Sequence, residues 1–232
     1  MDHKRLTLFA GHYGSGKTNI AVNYAIALAR EGKQVCIADL DIVNPYFRTV
    51  DSAKELEAAG VKLISPQFAN SNVDLPALPA EAYRLVQDRS IHGIMDIGGD
   101  DRGAYALGRY VPAIREEGNY RMVFVANCCR PLTPTAADAL EIMREIEAAC
   151  GLPFTDIVNN SNLGPETTAE TVMESAAFIR ELSRLSGLPV WLTTAEETVA
   201  KQLAIPDVFP LRLQAKYFDL PSQKPVARPL WG

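Results

Sequence analysis

Residues 11 to 18 read Gly-His-Tyr-Gly-Ser-Gly-Lys-Thr and match G-x-x-x-x-G-K-[ST] in full. Gly11, Gly14 and Gly16 allow consecutive backbone N–H groups to turn inward around phosphate oxygens, and a helix starting at the lysine adds its positive N-terminus. Ser15 and Asn19 complete the cradle, Lys17 brings a full charge, and Thr18 brings a hydroxyl for a magnesium ion. Such a set is built to bind the tail of a nucleoside triphosphate.

Hydrolysis of that tail needs carboxylates and a positioned water, and both requirements are met at the ends of apolar runs. Asp39-Leu-Asp41 follows one run and Asp96-Ile-Gly-Gly99 another. Asp96 is placed to reach magnesium directly or through water, Asp39 to join the same shell, and Asp41 to orient the attacking water. Two solvated carboxylates at a strand end are the plainer reading of residues 39 and 41. Gly99 can offer its N–H to the terminal phosphate, which makes Ile97 to Gly103 a switch segment. Asn44-Pro-Tyr-Phe-Arg48 reads either as a second switch with Arg48 as charge stabiliser or as an aromatic anchor for its loop. After a later run come Asn159 and Asn160, whose carboxamides match the N6/N7 edge of adenine. Guanine is usually read by N-K-x-D, and the run here, Asn-Asn-Ser-Asn, lacks the acid.

These groups must be held by alternating strands and helices. Arg5 to Ala10 is a short apolar strand, and Ile20, Tyr24, Ala25 and Leu28 recur at helical spacing until Gly32. Strands are expected at 34–38, 61–64, 91–95, 120–126, 154–158 and 188–192. Helices are expected at 51–59, 80–88, from about 103 to 117, 133–149 and, as one long element, 166–186. The pattern predicts an α/β fold, a three-layer, mostly parallel sheet with helices on both faces. Ligands then sit outside the carboxyl ends of the strands. One domain over 1–232 is expected, with the proline-rich stretch 205–232 as an irregular wrap rather than another strand unit.

The 232 residues carry a formal net charge of −5 and no long basic run, so general nucleic-acid binding has no electrostatic support. The start leads directly into the first strand, leaving no room for a secretory signal, and no stretch approaches about 18 uninterrupted apolar residues. A cytoplasmic protein without a membrane segment is expected. Cys36, Cys128, Cys129 and Cys150 form no C-x-x-C pair, and Cys128-Cys129 reads as ordinary packing. His3, His12 and His92 are dispersed and suggest no ligand cluster.

On the loop at 11–18, Ala38-Asp-Leu-Asp41, Met95-Asp-Ile-Gly-Gly99 and Val158-Asn159, the chain resembles the MinD and ParA type of P-loop ATPases. That group, of the SIMIBI class, also includes the nitrogenase iron protein and CobQ/CobB-like proteins, and the resemblance spans roughly residues 5 to 203. It implies ATP and magnesium held between two subunits of a homodimer and hydrolysis that switches an unidentified protein partner on and off. By the same similarity Asp41 positions water and Asn159 reads adenine. One departure stands out: the family's loop carries an extra lysine where this chain has His12. A neutral imidazole does not replace that fixed charge, and Arg48, Arg102 and Arg130 are the basic residues placed to compensate. The alternatives are a small-molecule kinase or ligase similar to dethiobiotin synthetase, a GTPase, or a non-catalytic binding module. A dinucleotide-binding fold fits poorly, because Asn19 stands at the third glycine position.

Overall fold

The computed structural model describes residues 3–40, 49–65, 80–99 and 101–213. Among them, eight strands form one sheet: β1 (Leu6–Ala10), β2 (Val35–Leu40), β3 (Lys62–Ile64), β4 (His92–Ile97), β5 (Tyr120–Ala126), β6 (Asp156–Asn159), β7 (Val190–Glu196) and β8 (Val208–Leu211). Their order is β3-β2-β4-β1-β5-β6-β7-β8, and every neighbouring pair is parallel. The helices are α1 (Lys17–Arg30), α2 (Ala53–Ala58), α3 (Arg84–Gln87), α4 (Asp101–Gly108), α5 (Val111–Glu117), α6 (Ala136–Cys150), α7 (Ala169–Glu174), α8 (Ala176–Ser186) and α9 (Glu197–Ala200).

Strands β1 and β2 are buried at every position, as a parallel sheet covered on both faces demands. On one face Phe9, Ile37 and Ile94 pack against Ile20, Tyr24 and Leu28 of α1. On the other, Leu8, Met95 and Phe124 pack against Leu107 of α4, Met143 of α6 and Leu182 of α8. None of the helices among the described residues is long and apolar enough to cross a membrane.

Four local expectations change. First, β2 and β4 run two residues further than their apolar cores, because they pair through Asp39↔Asp96 and Leu40↔Ile97. Asp39 and Asp96 therefore lie inside strands rather than in the turns after them. Second, the single helix expected over 166–186 is a 3-10 turn (Gly164–Glu166) followed by α7 and α8. Thr168 caps α7, and at the junction the Ser175 hydroxyl donates to the Val172 carbonyl at 2.7 Å, which bends the chain. Third, the helix expected to reach residue 117 breaks between α4 and α5, where Pro112 starts the new helix. Fourth, the proline-rich end contributes β8, a strand rather than a wrap. Pro210 is tolerated because β8 is at the sheet edge, where a missing N–H leaves no ladder bond unmade. Residues 214–232 lie outside the described residues.

Arg5 ties β1 to its surroundings at the end opposite the phosphate loop. Its guanidinium pairs with the Glu117 carboxylate and donates to the carbonyls of Leu85 at 2.8 Å, Ile91 at 3.1 Å and Asp88 at 3.2 Å. Both side chains are under one-tenth exposed. Arg5→Met alone is expected to destabilise the fold by about 3–5 kcal/mol by leaving a buried carboxylate unpaired, and adding Glu117→Leu should recover much of that loss. Urea unfolding of the single and double variants measures both changes.

Candidate functional site

The phosphate loop leaves β1 at the centre of the sheet, with β4 on one side and β5 on the other. Its shape rests on glycine. Gly11, Gly14 and Gly16 have φ of 149°, 75° and 92°, a region L side chains avoid. Space is as restrictive as φ: a Cβ on Gly11 would meet the Val125 carbonyl oxygen of β5 at 2.6 Å, and one on Gly16 would meet Asn160 Nδ2 at 2.2 Å. The Ser15 N–H donates to the His12 carbonyl at 3.1 Å, closing the turn.

Gly16 ends the loop in a left-handed conformation, and α1 begins with no side-chain cap and no acidic residue in its first turn. No acidic side chain of the helix's own first turn stands at that positive end. Lys17 and Thr18 are buried there, at 5% and 6% exposure. Lys17 Nζ turns back along the loop to donate to the His12 carbonyl at 3.4 Å. The His12 ring sits with Nδ1 2.8 Å from the Tyr13 carbonyl.

Asp39 and Asp96 are in-register neighbours on β2 and β4 and are at most 1% exposed. Strand alternation puts both on the face shared with Ile37 and Ile94, which is the face α1 covers. The Thr49 hydroxyl, fully buried, donates to Asp96 Oδ2 at 3.0 Å. Two adjacent buried carboxylates plus the Thr18 hydroxyl are hard oxygen donors, the set that suits magnesium bound jointly by protein and phosphate. Among the described residues there is no cluster of three or more His, Cys, Asp or Glu that would form an all-protein metal cage.

Gly99, just beyond β4, lies directly under the loop. A Cβ there would meet the Tyr13 backbone nitrogen at 2.6 Å and the Gly11 carbonyl oxygen at 2.9 Å. Asn159 ends β6 and Asn160 follows it, both buried. Asn160 Nδ2 donates to the Ser15 carbonyl at 2.6 Å, and the Thr194 hydroxyl donates to Asn160 Oδ1 at 2.6 Å. Asn159 Nδ2 donates to the Ser175 hydroxyl at 2.9 Å, and its Oδ1 accepts the Ser161 N–H at 3.2 Å. Both carboxamides, expected at a base edge, are thus engaged with protein groups, and Asn160 acts as a brace under the phosphate loop.

The structure therefore gathers the loop residues, Asp39, Asp96, Gly99 and Asn160 at one end of the sheet. Asn19 follows Thr18 in the first turn of α1, half-buried. Asp41 and Arg48 lie outside the described residues, as does the Arg102 side chain. Three residues were not anticipated from sequence. Thr49 bonds Asp96, and Thr194 orients Asn160. Asn127 accepts the Cys129 N–H at 3.0 Å and the Asn162 N–H at 3.3 Å, tying the turn after β5 to the turn after β6. Only Asn127 carries a sequence signal, a polar residue directly after an apolar strand, whereas Thr49 opens a 3-10 turn and Thr194 lies inside β7. Cys128 and Cys129 are free thiols in that turn, half-buried, and burial pushes the Cys129 thiol up.

No family model matches the chain. Over 96 residues it is 28% identical to the cytosolic Fe-S cluster assembly factor cfd1 of Emericella nidulans, a match covering 41% of this chain and 27% of that protein. Among solved structures it is similar to cell division protein FtsY of Thermotoga maritima, with a TM-score of 0.57 at 16% identity over 84% of this chain and 63% of that one. The signal recognition particle 54 kDa protein of Aeropyrum pernix in complex with GDP gives 0.50 at 17% identity, over 81% and 40%. The fold is that of a P-loop NTPase. The chain spans less than two thirds of the length of each of these proteins.

Two variants test the packing around the loop. Asn160→Ala leaves the Ser15 carbonyl and the Thr194 hydroxyl without this partner and should cost about 1–3 kcal/mol in chemical denaturation. Gly99→Ala forces the loop backbone to move and should accelerate amide hydrogen exchange at residues 11–16, with exchange in β5 unchanged.

Proposed function

We propose that the chain binds a nucleoside triphosphate with magnesium, preferring ATP, and hydrolyses its terminal phosphate as a nucleotide-dependent switch or an assembly and maturation factor. The observation that carries this is the loop shaped by Gly11, Gly14 and Gly16 running into an uncapped helix N-terminus, with Lys17 and Thr18 buried beside it and Asp39 and Asp96 on the same face. Loop N–H groups and Lys17 hold the negative charge of the phosphate tail. Thr18, Asp39 and Asp96 offer the oxygens for magnesium, which when bound neutralises charge on the phosphate oxygens. Asp41 orients water toward the terminal phosphorus, whose bond to the bridging oxygen breaks to release a nucleoside diphosphate and inorganic phosphate.

The preference for ATP draws on the run Asn159-Asn160-Ser161-Asn162, which has no acid to accept the two base protons of guanine. Reading adenine through Asn159 requires its amide to exchange Ser175 or Ser161 for the base. GTP is the second reading, favoured by the neighbour solved in complex with GDP. The resemblance to the MinD and ParA type and the relative named as an Fe-S cluster assembly factor support the assembly role, acting as a homodimer and on a protein partner. A small-molecule kinase or a dethiobiotin synthetase-like ligase would instead show release of the nucleoside diphosphate that depends on a small-molecule acceptor.

Calorimetric titration of magnesium-ATP and magnesium-GTP, with sizing before and after, tests the reading. ATP is expected to bind more tightly, and Lys17→Ala to weaken it by roughly ten- to hundredfold. Asp39→Asn and Asp96→Asn should each reduce the magnesium dependence of binding. Asp41→Asn should lower turnover by roughly 10²-fold or more with affinity retained. Undiminished affinity in Lys17→Ala would end the proposal.

A further inference from the structure

Arg130 stands at the apex of the turn that follows β5, and that turn is tied from within. The Thr133 N–H donates to the Arg130 carbonyl at 3.1 Å, and the Thr133 hydroxyl donates to the Asn127 carbonyl at 2.8 Å. Asn127 Oδ1 takes the Cys129 N–H and crosses to the Asn162 N–H. With its backbone held, Arg130 lays its side chain against the phosphate loop. A Cβ built on Gly14 would lie 3.7 Å from Arg130 Nε and 3.9 Å from its Cδ, which is van der Waals contact.

The guanidinium's Nε is placed there without an acceptor among the described residues and is shielded from solvent. A guanidinium carries five donors in a planar fork suited to phosphate, and a desolvated, unsatisfied N–H is disfavoured unless an anion takes it. The anion-binding surface it adjoins is the loop itself. His12, at the position where the resembling family has its extra lysine, directs its ring to the Tyr13 carbonyl.

We propose that Arg130 is a second cation of the phosphate site, supplied by the same chain, and that its guanidinium donates to the terminal phosphate of a bound nucleoside triphosphate. The inference rests on the proposed nucleotide binding. It makes Arg130 a catalytic residue that distinguishes triphosphate from diphosphate, independent of the base. The fixed charge that His12 lacks then comes from within one chain.

The test compares the affinities of wild type, Arg130→Ala and Arg130→Lys for a β,γ-imido triphosphate and for the diphosphate, in adenine and guanine forms, with magnesium. Calorimetry avoids any dependence on turnover, and thermal unfolding checks that each variant is folded. Arg130→Ala should lose roughly tenfold or more of its triphosphate affinity and keep diphosphate affinity within about twofold, with Arg130→Lys between the two. Equal losses for both nucleotides would make Arg130 a support of the loop only, and unchanged affinities would make it a surface side chain. Either result overturns the inference. Wild type that binds neither nucleotide would overturn the nucleotide reading itself, an outcome distinct from the other two. If Arg130→Ala does not fold, Arg130→Gln takes its place with the same expected split.

Discussion

Three glycines in and under the phosphate loop have no room for a side-chain carbon. Gly11 lies against the Val125 carbonyl of β5, Gly16 against the Asn160 amide at the end of β6, and Gly99 beyond β4 against the loop itself. Three strands therefore clamp one loop from three directions. The curvature of the loop is a property of this packing as much as of its own torsions. A methyl group at any of the three places would force these contacts apart.

Charges of both signs are buried around the clamp. A helix N-terminus without a cap and the Lys17 ammonium lie beside Asp39 and Asp96, two carboxylates on adjacent strands at most 1% exposed. Burying like charges together is unfavourable in a low-dielectric interior, and so is leaving a helix end uncapped. Sites that break such rules while the surrounding core obeys them are where function resides. The Thr49 hydroxyl fixes one Asp96 oxygen and so orients the carboxylate.

The asparagines at the strand ends illustrate how one residue type takes several tasks. Asn160 braces the loop, Asn159 anchors the junction of α7 and α8 through Ser175, and Asn127 joins the turns after β5 and β6. Each amide supplies a donor and an acceptor to a place where regular ladders stop and backbone groups would otherwise be left unpaired.

Local information was enough for the loop, for most of the strands and for the helices on both faces. The phosphate motif is contiguous, and periods of two and 3.6 residues are written in each segment separately. The same locality explains the misreadings. Whether Asp39 and Asp96 belong to strands depends on their pairing with each other, and the strand at 208–211 depends on β7 being there to accept it despite Pro210. The sequence by itself determined that a phosphate-loop motif sits in an α/β fold. Which side chains surround that motif was decided only by tertiary structure. Arg130 reaches Gly14, Thr49 reaches Asp96 and Asn160 reaches Ser15 across separations of 116, 47 and 145 residues, and no local spacing encodes contacts of that range.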